Sequence, residues 1–223
     1  KRTFGDFQFI QNQENLGFAR SYNEGLIRTE GDLVVIMNYD IRLTPNTLDS
    51  MIDCLEQRYS LIAPVTNNVG DAHQRVTGFK EIADYSENEL SRIDEFANEK
   101  RLEFKLKPKI KEIKFPMGMF WVMPKDVVND VGLFDERFEI AFWEDTDYAV
   151  RLRNSGYTSA VDLSSFVYHG KAGEDLASLK TMLKYPFKIK KDRLIFFKNQ
   201  VRFIKKHGMK TYLDYVKETA FSR

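Results

Sequence analysis

Short, unbroken apolar runs set between stretches of helical periodicity constrain this chain more than any other feature. Leu33–Met37 (LVVIM) and residues 61–65 (LIAPV) are about five residues each, and apolar runs of that length without alternation suit strands covered on both faces of a parallel sheet. Between them, Thr44 as N-cap and Pro45 at the first helical position announce a helix, with Leu48, Met51, Ile52 and Leu55 as its apolar stripe. Ahead of them, residues 7–11 (FQFIQ) read as a strand and residues 18–28 as a helix capped by Asn15. Strand, helix, strand, helix, strand is the rhythm of an α/β fold.

The rhythm breaks after Thr66. Residues 67–84 are polar and read as loop, and residues 86–101 as an acidic helix. In residues 105–114 (KLKPKIKEIK), Lys105, Lys107, Lys109 and Lys111 alternate and Pro108 interrupts. That pattern puts one lysine face on an extended sheet edge, either as edge protection or as a contact for an anionic acceptor. Residues 115–123 (FPMGMFWVM) read as a buried strand with Gly118 in its middle, and residues 124–131 as a short helix. A further helix at Glu144–Asn154 opens on acids and is ended by Gly156. A strand within 158–168 runs into His169, and helices follow at 175–185, 191–207 and 209–221. The division expected is a core over 1–170 and a basic helical extension over 171–223.

Composition excludes several classes of function. The 34 Lys+Arg stand against 33 Asp+Glu, a net charge of +1, far from the positive excess that coats nucleic acid. The single cysteine, Cys54, leaves no intramolecular disulfide or Cys-based zinc site. It lies beside the apolar stripe of its helix, reads as core, and fits a reducing, cytoplasmic compartment. No apolar run approaches the roughly 20 residues of a spanning helix, so neither a membrane span nor a signal peptide is expected.

Three polar clusters stand where strands end or helices begin, the positions at which open α/β sheets bind ligands. Asn38-Tyr39-Asp40 follows a strand; Asp40 suits a turn or a hard divalent cation held jointly with substrate phosphates. Trp143-Glu144-Asp145-Thr146-Asp147 opens a helix. Its acids complement the helix dipole, and Asp147 can pair with Arg151, or one acid can take a proton from a substrate hydroxyl. His169 reads as a structural residue or as part of a mixed Asp/His metal site.

Taken in order, these motifs resemble a known family. Asn15-Leu16-Gly17-Phe18-Ala19-Arg20 with Asn23 and Gly25 comes first. Gly31-Asp32, Asn38-Tyr39-Asp40 and Leu43-Thr44-Pro45 follow, then Gly118-Met119-Phe120 and Gly132-Leu133-Phe134-Asp135-Glu136-Arg137-Phe138. Trp143-Glu144-Asp145-Thr146-Asp147 with Arg151, Gly156-Tyr157 and Val167-Tyr168-His169 complete the series. Over roughly residues 7–170 the chain resembles the family 2 glycosyltransferases of GT-A fold, near their rhamnosyltransferase-like and galactofuranosyltransferase-like members. The resemblance implies an α/β, Rossmann-like mixed sheet flanked by helices. It implies an inverting, metal-dependent transfer of sugar from a nucleotide-diphosphate sugar donor to a glycan or lipid-linked acceptor, in cell-surface polysaccharide synthesis. Asp145 would be the catalytic base with Glu144 beside it. Asp40, His169 and, in place of the first Asp of a DxD motif, Asn38 would hold Mn²⁺ or Mg²⁺. Arg20 and Asn23 would line the nucleotide; Gly118, Trp143 and Asp147 would border sugar and acceptor. Family members begin with two further strands, so about 60 residues of the domain are expected to be missing from this sequence.

In residues 180–210, eleven Lys/Arg stand against one acid, Asp192, with Leu194, Phe197, Val201 and Ile204 at helical spacing. This reads as a helix packed on the core, an anionic membrane surface contact, or an interface. Two rivals to a transferase are a non-catalytic interaction domain and a nucleotidyltransferase. The latter should carry a basic, Gly-rich phosphate loop near its start, and none is visible; nor is a GK[ST] segment of a P-loop present.

Overall fold

A computed structural model describes residues 8–56, 58–71, 73–104, 109–170 and 186–220. The elements run α1 (Gly17–Arg28), β1 (Leu33–Met37), β2 (Ile41–Arg42), α2 (Thr47–Leu55), β3 (Leu61–Thr66), α3 (Glu87–Glu103), β4 (Ile110–Glu112), β5 (Phe120–Pro124), α4 (Lys125–Val131), α5 (Glu144–Asn154), β6 (Ser159–His169) and α6 (Pro186–Ala220). The strands form one sheet in the order β1-β5-β3-β6-β2, with β4 also paired to β6. β3 and β6 run parallel, while β5 is antiparallel to both β1 and β3. The sheet is therefore mixed and flanked by helices, as the sequence led us to expect.

Several expectations are corrected in detail. β1 is not a two-sided parallel strand: it is antiparallel to β5, Leu33 facing Pro124 and Met37 facing Phe120. Only Val34 and Ile36 are buried, under α1, whereas Leu33, Val35 and Met37 are 37%, 46% and 40% exposed. An all-apolar run carries no visible period, so sequence alone does not separate one covered face from two. β5 begins at Phe120 rather than 115: the Met117 and Gly118 N–H groups donate to the Gln74 and Asp145 side chains (2.6 and 3.0 Å) instead of to a ladder. Residues 8–11 form no strand, and Phe9 stands in solvent. α2 starts at Thr47, not at Pro45. Its N-cap is Asn46 in the left-handed region (φ 64°), and the Thr44 hydroxyl instead donates to the Phe166 carbonyl of β6 (2.6 Å). Of the lysine-rich stretch, 105–108 lies outside the described residues; Ile110–Glu112 pairs with β6 as an edge strand. The helix expected at 175–185 also lies outside them. The two C-terminal helices are one element broken at Gly208 (φ 85°, ψ 160°).

Apolar clusters cover both faces of the sheet. Leu26, Val34, Ile36, Trp121 and Tyr148 fill one side; Met51, Cys54, Ile62 and Phe120 fill the other. Cys54 is fully buried, and its thiol is pushed up to about 12 chiefly by burial. A further cluster of Phe115, Phe138, Trp143 and Phe203 fastens α6 to the core. Burying Phe203 completely contributes roughly 2 kcal/mol by its apolar surface alone. Among the described residues no helix is long and apolar enough to cross a membrane.

Candidate functional site

One rim of the sheet collects chain ends of opposite direction. Asn38 follows β1, Asn67 and Asn68 follow β3, and His169 closes β6, while Gly118 leads into the reversed β5. The Asn38 N–H donates to the Met119 carbonyl (2.9 Å), joining the first and last of these ends. A cavity of about 980 Å³ opens at this rim. Its lining includes Asn38, Gly118, Trp143, Glu144, Asp145 and His169.

Glu144 and Asp145 form the first turn of α5, where the helix N-terminus favours negative charge. Asp145 Oδ2 accepts the Gly118 N–H (3.0 Å), and Oδ1 accepts the Thr146 N–H (2.7 Å) and hydroxyl (3.3 Å). Gly118 is required for this approach: a Cβ there would lie 2.7 Å from Asp145 Cβ. Glu144 is buried, and its Oε2 has no partner among the described residues. Burial raises both carboxyls; for Glu144, pushed up to about 8, the neighbouring Asp145 charge adds to it. Two acids this close titrate as a pair. Asp145 accepts three hydrogen bonds that stabilise its carboxylate, whereas Glu144 Oε2 accepts none among the described residues.

Across the cavity from Asp145 stands His169, with Asp40 beside it and outside the lining. His169 Nδ1 lies 2.7 Å from the Asn68 carbonyl, to which it donates. His169 Nε2 lies 3.4 Å from Asp40 Oδ1, while Asp40 Oδ2 is buried without a hydrogen-bond partner among the described residues. An imidazole nitrogen and a carboxylate facing one another beside an orphaned carboxylate oxygen are a donor set that fits a divalent cation such as Mn²⁺ or Mg²⁺. Among the described residues no cluster of three acidic, His or Cys side chains could hold one unaided. Asp40 and His169 would suffice where substrate phosphates and water complete the coordination. The Asn38 amide oxygen accepts the Tyr22 hydroxyl (3.3 Å).

Three residues expected at the site are placed elsewhere. Arg20 lies at the surface with its Nε 3.5 Å from Glu136. Asn23 is buried and clamps Phe134, accepting its N–H (2.9 Å) and donating to its carbonyl (3.0 Å). Asp147 is wholly buried against His207, Lys206 and Arg151, at 2.7, 2.6 and 2.9 Å. Burial works to raise its carboxyl, but the His207, Lys206 and Arg151 contacts outweigh it and hold the group below the usual range. It ties α6 to α5 and does not line the cavity.

Other lining residues escaped the sequence reading. Arg75 projects from the loop after β3, and Phe142, Phe196 and Tyr215 add an aromatic wall. Tyr215 is pushed up to about 12 by burial and then by the Asp145 charge. Phe196 and Tyr215 belong to α6, far along the chain, and no local spacing advertises their arrival here.

Fold and rim together define a mixed α/β protein with a ligand-sized cavity where its strands end. The sequence profile of the glycosyl transferase family 2 matches residues 2–132, more than half the chain, and the chain belongs to that family. No curated protein sequence matches it. Among solved structures it is similar to "GalNAc-T7 with UDP, GalNAc and Mn2+", with a TM-score of 0.57 at 12% identity. That similarity covers 88% of this chain and 36% of the other, so the chain spans about a third of that protein's length. The likeness identifies the fold as that of a GT-A glycosyltransferase.

Proposed function

We propose that the chain is an inverting glycosyltransferase of the rhamnosyl- or galactofuranosyltransferase-like branch. It moves a sugar from a nucleoside-diphosphate donor to a hydroxyl of a glycan or lipid-linked acceptor in cell-surface polysaccharide synthesis. The observation that carries this reading is the Asp145 carboxylate, fixed by the Gly118 N–H at one wall of a cavity whose other wall bears His169 beside Asp40.

Asp145 takes the proton from the acceptor hydroxyl as that oxygen bonds to the anomeric carbon. The bond from the anomeric carbon to the diphosphate oxygen breaks on the opposite face, and a single displacement inverts the configuration. Glu144, protonated, leaves one negative charge in the pair and keeps it on the residue facing the acceptor. Asp40 and His169 would hold a divalent ion, which when bound neutralises charge on the leaving diphosphate. Trp143, Phe142, Phe196 and Tyr215 offer apolar faces on which a sugar ring can lie.

The reading extends to a cytoplasmic, peripheral position at an anionic membrane. In support, α6 turns Leu194, Phe197 and Val201 outward at 67%, 59% and 50% exposure, with Lys191, Arg193 and Lys205 exposed alongside.

The test is a melting series with UDP, GDP, dTDP and CDP, each with Mn²⁺ and with EDTA. A ligand that binds only the native state raises the midpoint by mass action. One nucleotide should raise it, and EDTA should abolish the rise. No rise with any nucleotide, or one indifferent to EDTA, overturns the metal-dependent transferase.

A further inference from the structure

The loop leading into Glu144-Asp145 is strained. Ile140, Phe142 and Trp143 have φ of 64°, 77° and 77°, a region that costs a residue with a Cβ about 1 kcal/mol or more. Three such residues in four do not hold their shape unaided, so something outside the loop fixes them.

Two clamps do so. On one side, the Phe18 N–H at the start of α1 donates to the Ile140 carbonyl (2.7 Å). Gly17 (φ 78°) permits that approach, since a Cβ there would lie 2.5 Å from Ile140 Cα. On the other side is Asn199 of α6, wholly buried. Its Nδ2 donates to the carbonyls of Glu139 (3.1 Å), Ala141 (3.0 Å) and Phe142 (3.2 Å). Its Oδ1 accepts from Arg202 Nη1 (2.8 Å), and Arg202 Nη2 reaches Glu139 Oε1 (3.1 Å), so the amide is itself oriented. With only two hydrogens for three carbonyls, one is shared, and Asn199 draws the loop carbonyls toward a single point.

We propose that Asn199 is a positioning residue for the transfer reaction: its side-chain amide holds the strained 139–143 loop so that Trp143, Glu144 and Asp145 face the cavity. The kinetic half rests on the transferase reading; the loop-holding half does not. An aspartate at 199 fills the same volume but sets a carboxylate against three carbonyls, and an electron pair replaces each shared proton.

The experiment measures amide hydrogen exchange in the full chain carrying Asn199→Asp and, as a second variant should that one not fold, Asn199→Ser. Exchange over 139–147 should quicken at least tenfold while 120–131 stays unchanged. Nucleoside diphosphate release from a panel of UDP-, GDP- and dTDP-sugars should fall at least tenfold in kcat, with donor KM within about threefold. Glu218→Ala is the control. It removes the acceptor for the Lys114 and Phe115 N–H groups (2.7 and 3.3 Å) and so loosens α6 at residues other than those that hold the loop. Unchanged exchange over 139–147 in the Asn199 variants overturns the proposal. So does an equal effect from Glu218→Ala, which would assign the loop to α6 docking at large. Quickened exchange in a chain that releases no nucleotide from any sugar keeps the clamp and removes the transferase. Quickened exchange with kcat intact removes the positioning role.

Discussion

Replacing Glu144 by Gln tests the buried acid pair without knowledge of any substrate. In the native state burial and the Asp145 charge push the Glu144 carboxyl up to about 8, against 4.5 for an ordinary glutamate. Between those values the native chain retains a proton that the unfolded chain has released. Stability therefore falls as pH rises through this window, and the loss is complete above about pH 8. The steepest slope is about 1.4 kcal/mol per pH unit, with an upper bound of about 5 kcal/mol across the window. Sharing of the proton with Asp145 and local relaxation lower this, and about 2 kcal/mol is expected. Gln has the shape of the protonated acid and does not titrate. Glu144→Gln should therefore melt with the parent chain at pH 5 and about 4–8 °C above it at pH 8.5. The assay is a melting series across pH 4.5–9 in matched buffers. Parallel curves for the two chains, with no divergence toward alkaline pH, would refute the argument.

Other perturbations separate the remaining roles. Asp145→Asn should lower kcat by 10²-fold or more while sparing the nucleotide-induced rise in melting temperature; retained turnover in product analysis removes Asp145 as base. Gly118→Ala forces a Cβ to 2.7 Å from Asp145 Cβ; the displaced carboxylate should cost about 100-fold in turnover, and unchanged turnover would show that the close approach does not matter. With Asp40→Ala the Mn²⁺-dependent melting shift should vanish and EDTA should have no further effect, whereas an intact Mn²⁺ response places the ion elsewhere. Phe197→Ser combined with Val201→Ser should weaken sedimentation with phosphatidylglycerol vesicles several-fold; binding that is absent in the parent chain, or unaltered in the variant, leaves α6 as packing alone.

The sequence made the helices most legible. α5 was bounded correctly because its acids, its basic last turn and Gly156 are all local signals. Strand direction was not legible: nothing in FPMGMFWVM says that β5 enters the sheet reversed, since direction is decided by which partners cover it. Thr44-Pro45 misled because the Thr44 hydroxyl, read as a cap, is claimed by a carbonyl of β6 that lies 122 residues away. The lining of the cavity was legible where one chain segment carries it, at Asn38 and at Trp143-Glu144-Asp145. Asp147 was misplaced because its neighbours His207 and Lys206 arrive from α6, and Arg20 and Asn23 because their partners Glu136 and Phe134 arrive from the α4–α5 connection. The aromatic wall and Asn199 were out of reach for the same reason, the tail being read as a basic surface before its buried face had a partner.

The reversal of β5 also governs when the rim can exist during folding. Because β5 runs against β1 and β3, the rim gathers segments that enter and leave the sheet, and neither wall is local. The Asn68 carbonyl meets His169 across 101 residues, and the Asp147 carboxylate meets His207 across another 60. Contacts of such sequence separation close late, after loop entropy has been overcome. Until β5 has joined, β1 has no ladder partner; until β6 has joined, Asp40 has no His169 beside it; and the cavity is complete only when α6 has brought Phe196 and Tyr215 to it.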